Sequence, residues 1–293
     1  MGPLGYTNLG YRLRARTFRP LPRMDGATAV VTGATSGLGR AAAHGFARLG
    51  ARVVLVVRDA ERGERVRAGL PDAGAHVVAR ADLSSLADAW ALARSLDGPI
   101  EVLVHNAGVL PPAYTITPEG HELTLAVNVL APFLLTALFH ERTRRVVTVT
   151  SGGMYAKKLD VATLLSPDPE RFSGTRAYAH TKRAEVVLTE LWAARLDPAR
   201  TVVHAMHPGW ADTPGLAASL PGFHRIMKPV LRDPAAGADT VVWLGAAPEP
   251  LDTTGRLWLD RAPQRTHLLP GTRESASERT RLWDACAALA GAT

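Results

Sequence analysis

Tyr178 and Lys182 stand four positions apart in "AYAHTKRAE", a run built otherwise from good helix formers. On a helix, positions i and i+4 share a face, so the phenol and the ammonium would point the same way. A cation beside a phenol favours the phenolate. A tyrosine that ordinarily titrates near about 10 could then exchange a proton with a substrate oxygen. The chain holds five tyrosines and the four lysines 157, 158, 182 and 228, so a Tyr-x-x-x-Lys arises by chance with a probability of about 0.07. The pair therefore needs support from the rest of the chain.

The first support is a glycine-rich turn. The β-branched run "ATAVVT" (27–32) leads straight into "TGATSGLGRAAAHGFARLG" (32–50), with Gly33, Gly37 and Gly39 ahead of a helical stretch and Thr35, Ser36 and Leu38 between them. Small residues let a backbone approach a pyrophosphate, and the helix N-terminus behind them offers N–H donors and the positive end of its dipole. The spacing differs from the commoner G-x-G-x-x-G, but the strand–turn–helix context is the one a dinucleotide site requires. The second run ends "VVRDAER". An acidic residue at that end would grip a ribose 2′-hydroxyl, whereas Arg58 suits a 2′-phosphate, which favours NADP(H) with NAD(H) as the alternative. Asp59 is expected to cap the next helix. Asp82 and Leu83 close the third run, where Asp82 would either accept from an adenine amino group or cap the helix that follows.

Further polar groups fall at matching places. "HNAGV" (105–109) places Asn106, Ala107 and Gly108 after the fourth run; Ser151 follows the fifth, and "AMHPGWADT" (205–213) carries Pro208, Gly209 and Thr213 after the sixth. Ligands collect at the carboxyl ends of strands in open parallel sheets, so these groups converge on one crevice. His105, His180 and His207 lie near the motifs but lack metal-ligand spacing and carboxylate support, so no metal is expected. His180 should leave its helix by another face than Tyr178, and His207 should pack on the loop it begins.

The elements that must position these groups are short β-branched runs at 27–32, 52–57, 76–80, 100–105, 145–150 and 201–206, with a seventh at 255–260, separated by Ala- and Leu-rich helical stretches. Continuous apolar strands spaced by helices predict a parallel sheet covered on both faces. No repeat or internal linker divides the chain, so residues 26–293 read as one domain behind a basic arm, 1–25. Ser275 and Glu278 stand at capping-box spacing before a last helix. The apolar stretch 123–139, interrupted by Asn128 and Pro132, predicts a buried core helix rather than a membrane span.

The chain has 293 residues, 46% hydrophobic and 21% charged, well inside the globular range. Its single cysteine, Cys286, excludes an internal disulfide and fits a reducing, cytoplasmic setting; no apolar leader indicates export. The net charge is +7, and the excess is partly local: Arg12, Arg14, Arg16, Arg19 and Arg23 crowd the first 25 residues against a single acid, Asp25. No nucleic-acid motif accompanies them. The arm is expected to be solvated or loosely held, the alternative being contact with a membrane surface or partner through Tyr6, Leu9, Leu13 and Phe18. Met154, Tyr155, Trp210, Leu216, Leu220, Phe223 and Met227 would either line a pocket for a lipophilic carbonyl or alcohol or belong to the core.

Taken in order, "TGATSGLG", "NAG", Asn128, Ser151, Tyr178 with Lys182, and "PGWADT" resemble the short-chain dehydrogenase/reductase family from about residue 26 to 260. The 27 positions from Ser151 to Tyr178 are similar to its retinol-dehydrogenase-like members, and "SGGMYAKKL", "YAHTKRAEVVLTE" and "MHPGWADTPG" to the branch named dehydrogenase/reductase member twelve. The resemblance implies a single Rossmann-type, doubly wound α/β fold of about seven strands. It implies Tyr178 as general acid/base and Lys182 as the residue that tunes it and holds the nicotinamide ribose. Ser151 would hydrogen-bond the reacting oxygen, Asn128 would hold a relay water, Thr213 would contact the carboxamide, and a homo-oligomer would form by pairing of the Asn128 and Tyr178 helices. Ala131 and Thr150 depart from the family pattern without removing a reacting group. The alternatives are a non-catalytic NADP(H)-binding protein, which commonly lacks one of the four reacting groups, and an epimerase or dehydratase, which usually brings a larger C-terminal domain than the 80 residues after Thr213.

Overall fold

The computed structural model describes residues 3–219 and 221–291. Among them, eight strands form one sheet: β1 (Thr28–Thr32), β2 (Arg52–Val57), β3 (Val77–Arg80), β4 (Ile100–His105), β5 (Thr143–Val149), β6 (Val202–Met206), β7 (Arg256–Leu259) and β8 (Ala262–Gln264). Their spatial order is β3-β2-β1-β4-β5-β6-β7-β8. The first seven are parallel, and the order reverses beside β1, which pairs with both β2 and β4. Ligand crevices open at that reversal, outside the carboxyl ends of the strands.

Strand side chains alternate between two cores. Val30, Val54, Leu103 and Val146 face one core, closed by the helices Leu86–Ser95, Gly174–Ala193 and Ala276–Ala290 together with the long apolar helix. Val31, Val53, Leu55 and Val102 face the other, under the helices Gly37–Arg48 and Pro234–Ala246. Because both faces are buried, the strands are continuous apolar runs rather than alternating ones. The apolar helix, Leu123–Arg142, is long and apolar enough to cross a membrane by composition, but 72% of its most apolar window is buried in the protein. It is a core helix. Ala126–Leu130 within it form a π turn, which sets Asn128 at its centre.

The sheet has one strand more than the seven expected. β8 turns back antiparallel from β7 through Asp260 and Arg261, both with positive φ, as a two-residue hairpin of mirror-image type requires. Such turns favour Asn-Gly or Asp-Gly, and "DR" carries no such signal. Pro263 in a three-residue edge strand hides it further.

The N-terminal segment departs from the expected loosely held arm. A short helix, Asn8–Ala15, is capped by Thr7, whose hydroxyl accepts from Gly10 N. Tyr6 O accepts from Trp210 N at 2.9 Å, and the Tyr6 ring lies 5.8 Å from Trp210 and 5.2 Å from His207. Arg14 pairs with Asp260. The segment is thus bound to the domain's own loops, while Leu9 and Leu13 face solvent.

At the C-terminal helix half of the expected capping box forms. Ser275 accepts from Glu278 N, but the Glu278 carboxylate accepts instead from Val161 N and Arg281.

Candidate active site

The glycine turn is built by close approach. Gly33 has φ +67°, and a Cβ there would sit 2.9 Å from the Ala107 Cα. At Gly39 a Cβ would meet the Asn106 amide nitrogen and Gly33 O, each at 2.3 Å. Asn106 donates its amide to Thr32 O at 2.8 Å, and the Thr32 hydroxyl accepts from the N–H groups of Asn106 and Ala107 at 3.0 Å. These contacts lock the turn after β1 to the turn after β4. Ser36 is the N-cap of the helix Gly37–Arg48, yet its side chain makes no capping bond. The first N–H groups of that helix are therefore left for an anion.

A cavity of about 390 Å3 runs along this turn, bounded by Gly37, Arg58, Arg62, Asp82, Leu83 and Thr213 among others. Thr35, Ser36 and Gly108 also border it. Asp59 caps the next helix, accepting from Arg62 N at 3.0 Å, so the acid at the end of β2 is committed while Arg58 stays exposed. Asp82 does not cap the following helix; Ser85 does. Asp82 folds back on Ser84, accepting from its N–H at 3.0 Å and its hydroxyl at 2.8 Å, because the turn places those donors nearer than the helix end.

A second cavity, about 460 Å3, adjoins the first and shares Leu38, Asn106, Gly108, Val109, Thr213 and Gly215 with it. Ser151, Tyr178 and Lys182 all line it, as do Pro208 and Gly209. Ser151 leaves β5 two residues after Val149, and Tyr178 and Lys182 share one face of the helix Gly174–Ala193. The Lys182 ammonium lies 5.3 Å from the centre of the Tyr178 ring. It donates to Val149 O at 3.0 Å and to Glu185 Oε1 at 2.6 Å, leaving one of its three protons uncommitted. Burial pulls the Lys182 pKa down, but the charge of Glu185 and the nearby phenol outweigh it and hold the ammonium above the usual lysine range.

Asn128 is fully buried and well anchored. Its Oδ1 accepts from Val109 N at 2.8 Å, and its amide donates to Val109 O at 3.1 Å and to Thr181 Oγ1 at 3.0 Å. Both amide protons are committed to tying the turn after β4 to the Tyr178 helix, so of its side chain only the second lone pair of Oδ1 remains for a relay water. Thr213 lines both cavities, and its hydroxyl accepts from Leu216 N at 3.2 Å.

Of the apolar residues named for a pocket, Trp210, Leu216 and Phe223 line the second cavity. Met154 does not. It is fully buried in a small core with Val186, Ala205 and Leu257. Tyr155 donates its hydroxyl to Arg265 O at 2.9 Å, Met227 is absent from the cavity wall, and Leu220 lies outside the described residues.

The histidines have structural partners. His180 Nε2 accepts from Asp160 N and His207 Nδ1 from Gly209 N, each on the tautomer that leaves that nitrogen bare. Burial, with Arg232 nearby, holds His207 down to about 3, so it stays neutral.

The family model described as short chain dehydrogenase matches residues 27–221. The chain belongs to the short chain dehydrogenase family. Within that family it is 39% identical to dehydrogenase/reductase SDR family member 12 of Bos taurus, over 94% of this chain and 91% of the relative. It is 36% identical to the polyprenol dehydrogenase of Mus musculus, over 96% and 89%. Among solved structures it is similar to the 3-ketoacyl-(acyl-carrier-protein) reductase of Brucella melitensis complexed with NADH: TM-score 0.64, 28% identity, 80% of this chain and 96% of that one. As a member of this family the protein is a nicotinamide-dependent oxidoreductase acting on CH–OH and C=O groups.

Two parts of the site escaped the sequence reading. Glu185 was signalled only by its place, three residues after Lys182 and seven after Tyr178 on the same helical face. Arg232 and Asp260, which fix the Pro208–Gly209 turn, had no local signal at all.

Proposed function

We propose that the protein is an NADP(H)-dependent oxidoreductase for a lipophilic carbonyl or alcohol, with Tyr178 as the group that gives or takes the proton. The observation that carries the reading is the shared wall: Tyr178, Lys182 and Ser151 line a cavity continuous with the glycine-turn cleft. A nicotinamide cofactor, when bound, exchanges a hydride with the substrate carbon. As a carbonyl is reduced, negative charge grows on its oxygen. Ser151 and Tyr178 donate hydrogen bonds to that oxygen, and Tyr178 passes its proton to it, leaving an alcohol. The Lys182 ammonium stabilises the negative charge left on the phenol oxygen and offers its uncommitted proton to the ribose side of the crevice. Asn128 holds the turn at Val109 and the Tyr178 helix in fixed relation. In the reverse direction the same oxygen takes the alcohol proton.

Three residues support the phosphorylated cofactor: Arg58 and Arg62 at the mouth of the first cavity, and Asp59, whose carboxylate is turned away to cap a helix. The bare N-terminus behind Ser36 suits the pyrophosphate. Trp210, Leu216 and Phe223 make the substrate side apolar, consistent with a relative named for a polyprenol. Arg58→Ala is expected to raise the KM for NADPH by roughly ten- to a hundredfold, the loss of one charged hydrogen bond, and to leave that for NADH unchanged. Steady-state assays of a long-chain aldehyde and ketone panel with each cofactor read both quantities. Equal losses with both cofactors would place the 2′-phosphate elsewhere.

A further inference from the structure

Glu185 is a carboxylate in a place where carboxylates are costly. It is 4% exposed and its partner Lys182 3%. The two are joined at 2.6 Å, side by side on the buried face of the helix Gly174–Ala193. No other cation reaches the pair among the described residues. The remaining titratable groups facing Glu185 are Tyr178, from its own helix, and His105 from β4, which burial holds down to about 3 and hence neutral. Strands β5 and β6 and the helix Leu123–Arg142 present threonines, Val203 and Asn128. The Thr150 hydroxyl stands beside the carboxylate, but its one proton goes to Lys182 O at 2.9 Å.

The outer oxygen of Glu185 and Nδ1 of His105 are both buried without a protein partner. Both residues border a cavity of about 20 Å3, room for a single water, which would serve both atoms and give the carboxyl a way to exchange its proton. A buried ammonium with no counter-charge tends to release its proton. Burial does act on Lys182 in that direction, and Glu185 is the main force against it.

We propose that Glu185 is the buried counter-ion that keeps Lys182 charged and in place, a positioning residue that sets the alkaline limit of turnover. The proposal rests on the reading of Tyr178 and Lys182 given above. Its pH behaviour has a definite sign. Burial pushes the Glu185 carboxyl up to about 7, against the pull of Lys182. Below that pH the native residue is neutral, as Gln would be; above it the negative charge is present and Lys182 depends on it. Glu185→Gln should therefore superpose on the native enzyme below about pH 6, and its reductive kcat should fall off at least about one pH unit earlier on the alkaline side.

The experiment is the pH profile of kcat with NADPH and a carbonyl substrate for the native enzyme, Glu185→Gln and Tyr178→Phe. In parallel, the side-chain carboxyl carbons of 13C-labelled glutamates are titrated in the native protein. An earlier alkaline fall in Glu185→Gln, with a glutamate carboxyl titrating near neutrality, supports the proposal. A loss by the same factor at every pH, the mark of a merely structural role, overturns it, and so does an unshifted profile. Should Glu185→Gln not fold, Glu185→Ala and Glu185→Asp are read in its place: an alkaline fall no earlier in the alanine than in the aspartate variant, which keeps the charge, overturns it. Full turnover in Tyr178→Phe would instead remove the reading beneath it.

Discussion

Tyr178→Phe lowers kcat by about a hundred- to ten-thousandfold, the usual worth of a positioned general acid, while the dissociation constant for NADPH stays within about twofold. The substitution removes one hydroxyl and keeps the ring beside Lys182, so the cavity wall, the ammonium and its two partners remain. What disappears is the hydroxyl that the proposed mechanism uses as the proton donor on the substrate side of the crevice. Ser151 cannot replace it. Its hydroxyl lines the same cavity, but a serine hydroxyl is a far weaker acid than a phenol, and it accepts only a long hydrogen bond from Gly153 N at 3.4 Å. Rapid-mixing measurement of NADPH consumption separates the chemical step from cofactor binding. A variant retaining turnover within about threefold would strip Tyr178 of its role.

Arg232→Ala destabilises the protein by about 3–5 kcal/mol, the usual penalty for removing one partner of a buried ion pair, and lowers Tm by roughly 5–8 °C. All five guanidinium protons are engaged. Nε donates to Tyr6 O at 3.1 Å, Nη1 to Pro208 O at 3.2 Å and Asp260 Oδ1 at 2.6 Å, and Nη2 to Gly5 O at 2.8 Å and Asp260 Oδ2 at 3.0 Å. Both side chains of the pair are 1% exposed. Truncation strands the Asp260 carboxylate with Arg14 as its remaining charge partner and leaves Pro208 O without a donor, while Gly5 O keeps Arg14 and Tyr6 O keeps Trp210 N. The lost bonds tie the N-terminal segment to the Pro208–Gly209 turn, which lines the second cavity, so cofactor affinity is expected to fall with stability. The double variant Arg232→Met, Asp260→Leu should recover part of the loss, because no charge is then left buried alone. Thermal unfolding of the three proteins tests the claim; a single-variant loss under about 1 kcal/mol would contradict it.

What could be read in the sequence follows from how local its cause is. The strands β2 and β4 were legible to the residue because continuous β-branched runs buried on both faces are bounded by polar or small residues. The pairing of Tyr178 with Lys182 was legible because helical periodicity alone puts them on one face. The cap at Asp59 was legible for the same reason, its partner lying three residues away. Other features depend on contacts between distant parts of the chain. Arg232 reaches Gly5 across 227 positions and Tyr6 across 226, so no window of sequence shows why Tyr6 and Arg14 turn toward the domain while Arg12, Arg16, Arg19 and Arg23 stay exposed. Met154 illustrates a different limit. Its neighbourhood to Ser151 suggested the pocket, but the turn Gly152–Ala156 rotates it into the core against Val186 and Leu257. Asp82 had two plausible tasks at its position, and only the path of the turn awards the cap to Ser85.

The central claim is that a nicotinamide nucleotide lies along the crevice at the carboxyl ends of β1, β2 and β4 with its reactive ring beside the Tyr178 hydroxyl. A crystal structure of the protein grown with NADP+ tests it most directly. The account predicts the pyrophosphate on the N-terminus of the helix Gly37–Arg48, the 2′-phosphate against Arg58, and the ribose within hydrogen-bonding reach of Lys182. Density for the nucleotide at any other place on the protein, or with its nicotinamide turned away from Tyr178 and Ser151, would contradict it.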